Sequence, residues 1–266
     1  MHILVCVKQV PDTDKITIDP ASHTLRREGA AAILNPYDAG ALELALRLKE
    51  QTGGTVTVLT MGPRQAKAML EGCLAAGADR AFLISSRVFA GADTLATADT
   101  LSAAIRKLAQ EQGYAFDLIL CGKQTLDGDT AQVGPMVAQL LDLPQITGIR
   151  EVFPGDGCIT ALRQTPRGEE RLCCSLPALL TVSATPWPLR LPSLKSKLAA
   201  RKKEIPTWDE TALNLDPERC GLRGSPTRVV STTVRLPERH CVLLDSTWQL
   251  ADLLACHTRK EDGHDS

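Results

Sequence analysis

The chain has 266 residues, with 30 Lys+Arg against 31 Asp+Glu, 44% hydrophobic residues and only 3% aromatics. That length allows one or two domains with a substantial core, and a net charge of −1 gives no reason to expect a nucleic acid as the main partner. The hydrophobic residues are spread along the chain rather than gathered into one bilayer-spanning run, so a soluble globular protein with no membrane span is expected and a disordered one is not.

The opening stretch MHILVCVKQV lacks the basic start, long apolar core and small-residue cleavage site of a secretory signal, and it reads as a buried strand. Nine scattered cysteines, an odd number, point to a reducing cytosol and hence to a cytoplasmic protein. None forms a C-x-x-C pair, and the adjacent Cys173 and Cys174 would leave opposite faces of a strand, so no metal site is expected.

Residues 3–7, 55–61, 81–85 and 117–121 are apolar runs bounded by Gly, Pro or Asp and read as strands. Between them Ala41, Leu44, Ala45 and Leu48, and later Ala98, Leu101, Ile105 and Leu108, recur at helical spacing with charged residues on the other side. This βαβα alternation predicts a mainly parallel, doubly wound α/β sheet with helices on both faces and ligands at the carboxyl ends of the strands. Residues 15–19 and 24–28 read as a small hairpin inserted after the first strand.

Beyond Pro144 the rhythm changes. Residues 149–153, 158–164 and 170–175 are short strands joined by the turns PGDG and PRG, which predicts an antiparallel β patch, and residues 179–183 add one more strand. Pro186, Pro188, Pro192, Pro206, Pro217, Pro226 and Pro237 then disfavour any long helix or central strand. The predicted organisation is an α/β nucleotide-binding domain over 1–185, an extended proline-rich arm over 186–245, and a C-terminal helix and polar tail over 246–266. An arm with so little core of its own implies a partner subunit.

Phosphate-transfer and dehydrogenase fingerprints are absent: there is no G-x-x-x-x-G-K-[ST], and no G-x-G-x-x-G follows the first strand, which runs instead into Lys8-Gln9-Val10-Pro11-Asp12. There is no G-x-S-x-G, and five histidines without a partnered nucleophile make no triad, so no catalytic residue is assigned. The conspicuous segment is GKQTLDGDTAQVGP, residues 122–135, which follows a strand and opens a helix, where free backbone amides favour a phosphate. Asp127 or Asp129 could equally be a plain N-cap of that helix, and local physics leaves the two readings even.

The segment resembles the nucleotide loop of the β-subunit of electron-transfer flavoproteins. Further blocks similar to that family appear in order along nearly the whole chain: ILVCVKQV at the first strand, Asn35-Pro36-Tyr37-Asp38 before the first helix, Ala76-Gly77-Ala78-Asp79-Arg80, Leu176-Pro177-Ala178-Leu179, Pro192-Ser193-Leu194, and Gly221-Leu222-Arg223-Gly224-Ser225-Pro226-Thr227. The resemblance implies a Rossmann-like subunit of a heterodimer. It would hold an adenine nucleotide at its sheet, while an α-subunit carries the FAD that shuttles electrons between a dehydrogenase and an acceptor.

Carried over by position, Cys6, Asn35, Pro36, Tyr37, Asp38 and Met61 would line the adenine end of the site. Gly122, Lys123, Gln124, Thr125, Leu126, Asp127, Gly128, Asp129, Thr130, Ala131, Gln132 and Val133 would wrap the phosphates. Family members hold either AMP or a second FAD here. The D-G-D-T-A-Q-V-G-P form, together with Gly91-Ala92-Asp93-Thr94 and the helix start at Thr94 and Thr97, favours FAD. Leu194 matches the leucine that anchors the partner dehydrogenase, although the surrounding Leu191, Lys197 and Leu198 depart from the family pattern. Two other classes share this α/β pattern: an ATP-binding regulatory module of the universal-stress-protein type, and an adenylating enzyme of related fold. The first predicts a shorter chain without the arm, and the second a Ser/Gly-rich loop where Lys8 to Asp12 stand. The basic run Lys195, Lys197, Arg201, Lys202 and Lys203 has no interleaved aromatics and reads as a solvated stripe rather than a nucleic-acid site.

Overall fold

The structure is a computed structural model and describes residues 1–12, 17–18, 25–26, 32–227 and 243–261. It divides into two compact units, Met1–Arg228 and Val229–Ser266.

In the first unit, four largely apolar segments become the central parallel strands β1 (His2–Cys6), β6 (Thr55–Met61), β8 (Leu118–Gly122) and β12 (Ala178–Val182). Strands buried on both faces need no strict polar alternation, and the polar residues within them, Thr57, Thr60 and Thr181, are themselves buried. Around them run the short strands β2 (Gln9–Pro11), β3 (Thr17–Ile18), β4 (Leu25–Arg26) and β5 (Ala32–Leu34), then β7 (Arg80–Ile84), β9 (Gln145–Pro154), β10 (Cys158–Thr165), β11 (Gly168–Ser175) and β13 (Thr207–Trp208). The main sheet has nine strands in the order β11-β10-β9-β12-β8-β1-β6-β7-β13. It is parallel from β9 to β13 and antiparallel only across β9-β10-β11. The antiparallel patch is therefore continuous with the main sheet, joined through the parallel pairing of β9 with β12. Backbone pairing of Thr17 with Arg26 and Ile18 with Leu25 matches the inserted hairpin; its remaining residues lie outside the described ones.

Helices α1 (Pro36–Thr52) and α2 (Lys67–Ala76) cover one face, and α3 (Thr94–Gln112) and α4 (Val133–Leu140) the other. The two-residue period of a strand sorts its side chains between the layers. Ile3, Val5, Leu118 and Leu120 face α1 and α2, while Leu4, Cys6, Ile119 and Cys121 face α3 and α4. Each fully buried leucine or isoleucine here contributes about 1.5–3 kcal/mol. Pro36 at the first position of α1 suits a residue without an N–H, and left-handed Gly53 (φ 71°) ends the helix.

Residues 186–227 contribute α5 (Leu194–Ala200), the edge strand β13 and the short α6 (Gly221–Gly224). Ala200 of α5 joins the α1/α2 core, and Trp208 of β13 is buried against Phe82 at 5.1 Å between ring centroids. Residues 228–242 of the predicted arm lie outside the described residues.

In the second unit, helix α7 spans Thr247–Glu261, within the segment 246–266 where the sequence predicts a C-terminal helix and tail. Trp248, Leu250, Leu253 and Leu254 on it are exposed. Residues 262–266 of the expected tail lie outside the described residues. No described helix is long and apolar enough to cross a membrane.

Candidate functional site

The carboxyl ends of β1, β6, β8 and β12 lie side by side, and the sequence-predicted residues cluster there. Cys6 ends β1, Met61 ends β6, and Gly122 ends β8. The backbone N–H of Lys123 donates to the Val182 carbonyl at 2.7 Å, so the loop leaves the sheet between the tips of β1 and β12.

Asp38, in the first turn of α1, ties this end together. Its Oδ2 accepts the Lys8 backbone N–H at 2.7 Å and its Oδ1 accepts the Gly122 backbone N–H at 2.9 Å. One carboxylate thus fixes the exits of both β1 and β8. Burial of this group outweighs the opposing hydrogen bonds from Lys8, Asn35 and Gly122 and raises its pKa to about 7. Approach this close requires glycine at 122: a Cβ there would lie 2.3 Å from Asp38 Oδ1.

Asn35 is fully buried ahead of α1 but makes no side-chain cap for it. Its Nδ2 instead donates to the Gln124 carbonyl at 2.9 Å, and its Oδ1 accepts the Leu126 N–H at 3.4 Å, so Asn35 holds the first half of the loop from across the chain. Pro36 and Tyr37 line a cleft of about 470 Å³ together with Gly40, Val182, Thr185 and Trp187, and Tyr37 also lies against Gly122, where an added Cβ would stand 2.7 Å from Tyr37 Cβ.

The two loop carboxylates are already engaged. Asp127 pairs with the Lys8 ammonium at 2.8 Å, and Asp129 accepts from the Gln124 amide. Burial raises the Asp127 pKa, but hydrogen bonds from Lys8 and Thr125 and the Lys8 charge more than offset this, and the carboxyl titrates below its ordinary value. Neither aspartate caps α4. The N-cap is Gln132, which makes no side-chain cap bond, so the N-cap reading of Asp127 or Asp129 does not hold. Gln132 Oε1 accepts the Thr94 hydroxyl at 3.2 Å, which brings the start of α3 to the start of α4.

The two helix starts differ. At α3, Asp93 Oδ1 accepts the N–H groups of Leu95 and Ala96 at 3.0 Å each, so a carboxylate fills the place a phosphate would take. Its other oxygen accepts from the Thr227 hydroxyl at 2.8 Å. Thr97, one turn into α3, is half-buried, and its N–H serves the helix by donating to the Asp93 carbonyl at 3.0 Å. At α4 no side chain does this. Ala131 is left-handed (φ 55°) and Gln132 right-handed, an alternation that turns successive N–H groups to one side and suits an anion. Exposed Thr130 adds a hydroxyl nearby. The donor set therefore fits the phosphates of a nucleotide, and no aromatic ring of the loop offers a stacking surface.

The predicted anchor Leu194 opens α5 rather than lying in a loop, and it is 74% exposed, with Leu191 before it at 95%. Just upstream, Arg190 is clamped onto α1 by Glu43 at 3.0 Å and by Glu50. Buried Glu43 also holds Arg47 at 2.9 Å. Sequence reasoning missed Lys8, Arg190 and the contact of Asp93 with Thr227 as positioning interactions, because each partner lies far along the chain. Among the described residues no cluster of three or more His, Cys, Asp or Glu could hold a metal ion.

The family model described as "Electron transfer flavoprotein domain" matches residues 22–213. A relative named "Electron transfer flavoprotein subunit beta" from Thermoanaerobacterium thermosaccharolyticum is 47% identical over 241 residues, covering 90% of each chain. "Protein FixA" of Azotobacter vinelandii is 47% identical over 86% of this chain and 82% of its own. "Caffeyl-CoA reductase-Etf complex subunit CarD" of Acetobacterium woodii is 46% identical over 86% of both.

Proposed function

The chain belongs to the electron transfer flavoprotein family, and on that premise we propose that it is the β-subunit of a heterodimer that holds an adenine nucleotide, FAD rather than AMP, at its α4 loop. The observation that carries the nucleotide site is the uncapped start of α4 beside the Ala131-Gln132 turn, with both loop aspartates paired elsewhere.

In this reading the N–H groups around Gln132 and Val133 and the Thr130 hydroxyl bind phosphate oxygens, while Asn35 and Asp38 hold the loop in register. Cys6 and Met61 close the sheet side of the site. Lys8, by neutralising Asp127, keeps a carboxylate from repelling the phosphates. A bound flavin would supply the redox chemistry, and no residue of this chain is assigned as acid, base or nucleophile in that electron transfer. The α-subunit carries the other FAD, and electrons pass between a dehydrogenase and an acceptor in the cytosol. The exposed leucines of α7 in the segment 246–266, and the exposed Leu191 and Leu194 of the arm over 186–245, are the surfaces given to the partner subunits, while 1–185 is the nucleotide-binding domain.

Counting nucleotides released from the purified heterodimer, by absorbance and mass, tests this reading. Two flavins per heterodimer are expected. One flavin with AMP would overturn the assignment of FAD, and one flavin with no second nucleotide would overturn the site.

Leu194, exposed beyond the Arg190 clamp, is assigned to partner docking. Truncating a central interface leucine of this kind costs on the order of 1–2 kcal/mol, so Leu194→Ala should slow electron exchange with the dehydrogenase about tenfold at sub-saturating partner. Flavin content should be unchanged. Unaltered exchange kinetics in stopped-flow would remove Leu194 from that role.

A further inference from the structure

Two cysteines meet on the antiparallel hairpin at the edge of the sheet, in a part of the fold the nucleotide loop does not use. In the β10–β11 ladder Cys158 pairs with Ser175 and Thr160 with Cys173. Cys158 and Cys173 are therefore diagonal neighbours whose side chains leave the same face of the hairpin. That face is the outer one, since the alternating residues Ile159, Leu172 and Cys174 pack on the core. Both thiols are free, Cys173 is exposed and Cys158 is half-buried. Cys158 Sγ also lies over Gly155 in the preceding turn, where a Cβ would come within 2.8 Å of the sulfur. The position of Cys158 is thus bounded by Gly155 on one side and Cys173 on the other. Cys6, Cys73, Cys121 and Cys220 are buried and offer no comparable access.

We propose that Cys158 and Cys173 are a reversible dithiol–disulfide couple that exchanges with low-molecular-weight disulfides. The Cys173 thiolate attacks one sulfur of the small disulfide, breaking its S–S bond and releasing one small thiol. The Cys158 thiolate then attacks the Cys173 sulfur of the mixed disulfide and displaces the second small thiol. The two protein thiols lose two protons and two electrons, and the small disulfide, as oxidant, gains them. The order follows from access and acidity. Cys173 is the exposed sulfur, and the neighbouring Cys173 thiol, followed by burial and the Asp156 charge, raises the pKa of Cys158.

The couple should be readily reducible. Diagonal strand neighbours have Cα atoms roughly 7–8 Å apart, past the roughly 7 Å that a disulfide spans without backbone movement, so closing the bridge must shift the backbone of β10 against β11. A bridge formed against such resistance is a labile one. The inference does not depend on what the α4 loop binds.

The test equilibrates the intact heterodimer with glutathione mixtures of increasing oxidised fraction, then alkylates the remaining thiols and maps peptides. The expected result is one step in which two alkylatable thiols disappear together as a Cys158–Cys173 cross-link, reversed by excess reduced glutathione. In Cys158→Ser the reaction should stop at a stable glutathione adduct on Cys173, and in Cys174→Ser the cross-link should form as before. Overturning results would be a terminal adduct on Cys173 in the unsubstituted protein, both thiols still alkylatable in fully oxidised glutathione, or a cross-link that involves Cys174.

Discussion

Gly122→Ala is expected to destabilise the protein by roughly 3 kcal/mol and to strip the nucleotide from the purified heterodimer. The added Cβ would stand 2.3 Å from Asp38 Oδ1, 2.7 Å from Tyr37 Cβ and 2.9 Å from the Asp38 backbone nitrogen. Two of those three atoms are rigid parts of the first turn of α1 and cannot rotate aside. The helix start must therefore retreat from the tip of β8, which breaks the 2.9 Å bond from the Gly122 N–H to Asp38 and loosens the 2.7 Å bond from Lys8. Asn35, immediately before α1, would then lose its hold on Gln124 and Leu126. Gly128→Ala is the control. Its Cβ would meet the Thr125 hydroxyl at 3.0 Å, the end of a side chain that can turn away, so stability should change by less than about 0.5 kcal/mol. Urea unfolding and nucleotide content of the two variants, side by side, check the pair. Wild-type stability and full nucleotide content in Gly122→Ala would mean that the contact between β8 and α1 does not set the site.

What the sequence makes legible is what lies close along the chain. The apolar runs at β1, β6, β7 and β8 mark strands within a residue or so of where they lie, and the periodic leucines and alanines mark α1 and α3. Gly122 and the loop after it stand out because a strand, a glycine and a helix start follow one another within a few residues. The rest depends on pairs that sequence order hides. Asp38 binds backbone groups 30 and 84 residues away, and Asp93 binds Thr227 across 134 residues. The parallel joining of β9 to β12 was equally hidden, because a hairpin's own residues do not say which neighbour it will find. Strand β13 is two residues long amid prolines that argue against a strand, and it forms because the β7 edge is there to pair with it. The aspartates of the loop were ambiguous for the same reason: their partners, Lys8 above all, lie across the fold.

Asp38 gives the protein a pH dependence opposite to that of a salt-bridged carboxylate. Burial holds its pKa at about 7 in the folded protein, against an ordinary 3.8. Between those values the folded chain keeps a proton that the unfolded chain releases. The stability associated with Asp38 is therefore fully present below about pH 4, declines as the pH rises toward 7, and is level above that. At about 1.4 kcal/mol for each pH unit, the decline amounts to roughly 4 kcal/mol. Asp38→Asn removes the titration but sets an amide N–H against one of the two backbone N–H donors, so the variant should start less stable by about 1–2 kcal/mol at low pH. Its curve should then fall less steeply than that of the wild type and cross it before neutrality. The same ionisation bears on the site. A carboxylate charged at the Gly122 N–H lies at the root of the phosphate loop, so nucleotide retention should weaken as the pH passes 7 in the wild type but not in Asp38→Asn. Urea unfolding from pH 4 to pH 8, with nucleotide release measured in parallel, tests both halves. Parallel stability curves for the two proteins would mean that Asp38 is ionised throughout, held so by the N–H groups of Lys8 and Gly122 despite its burial.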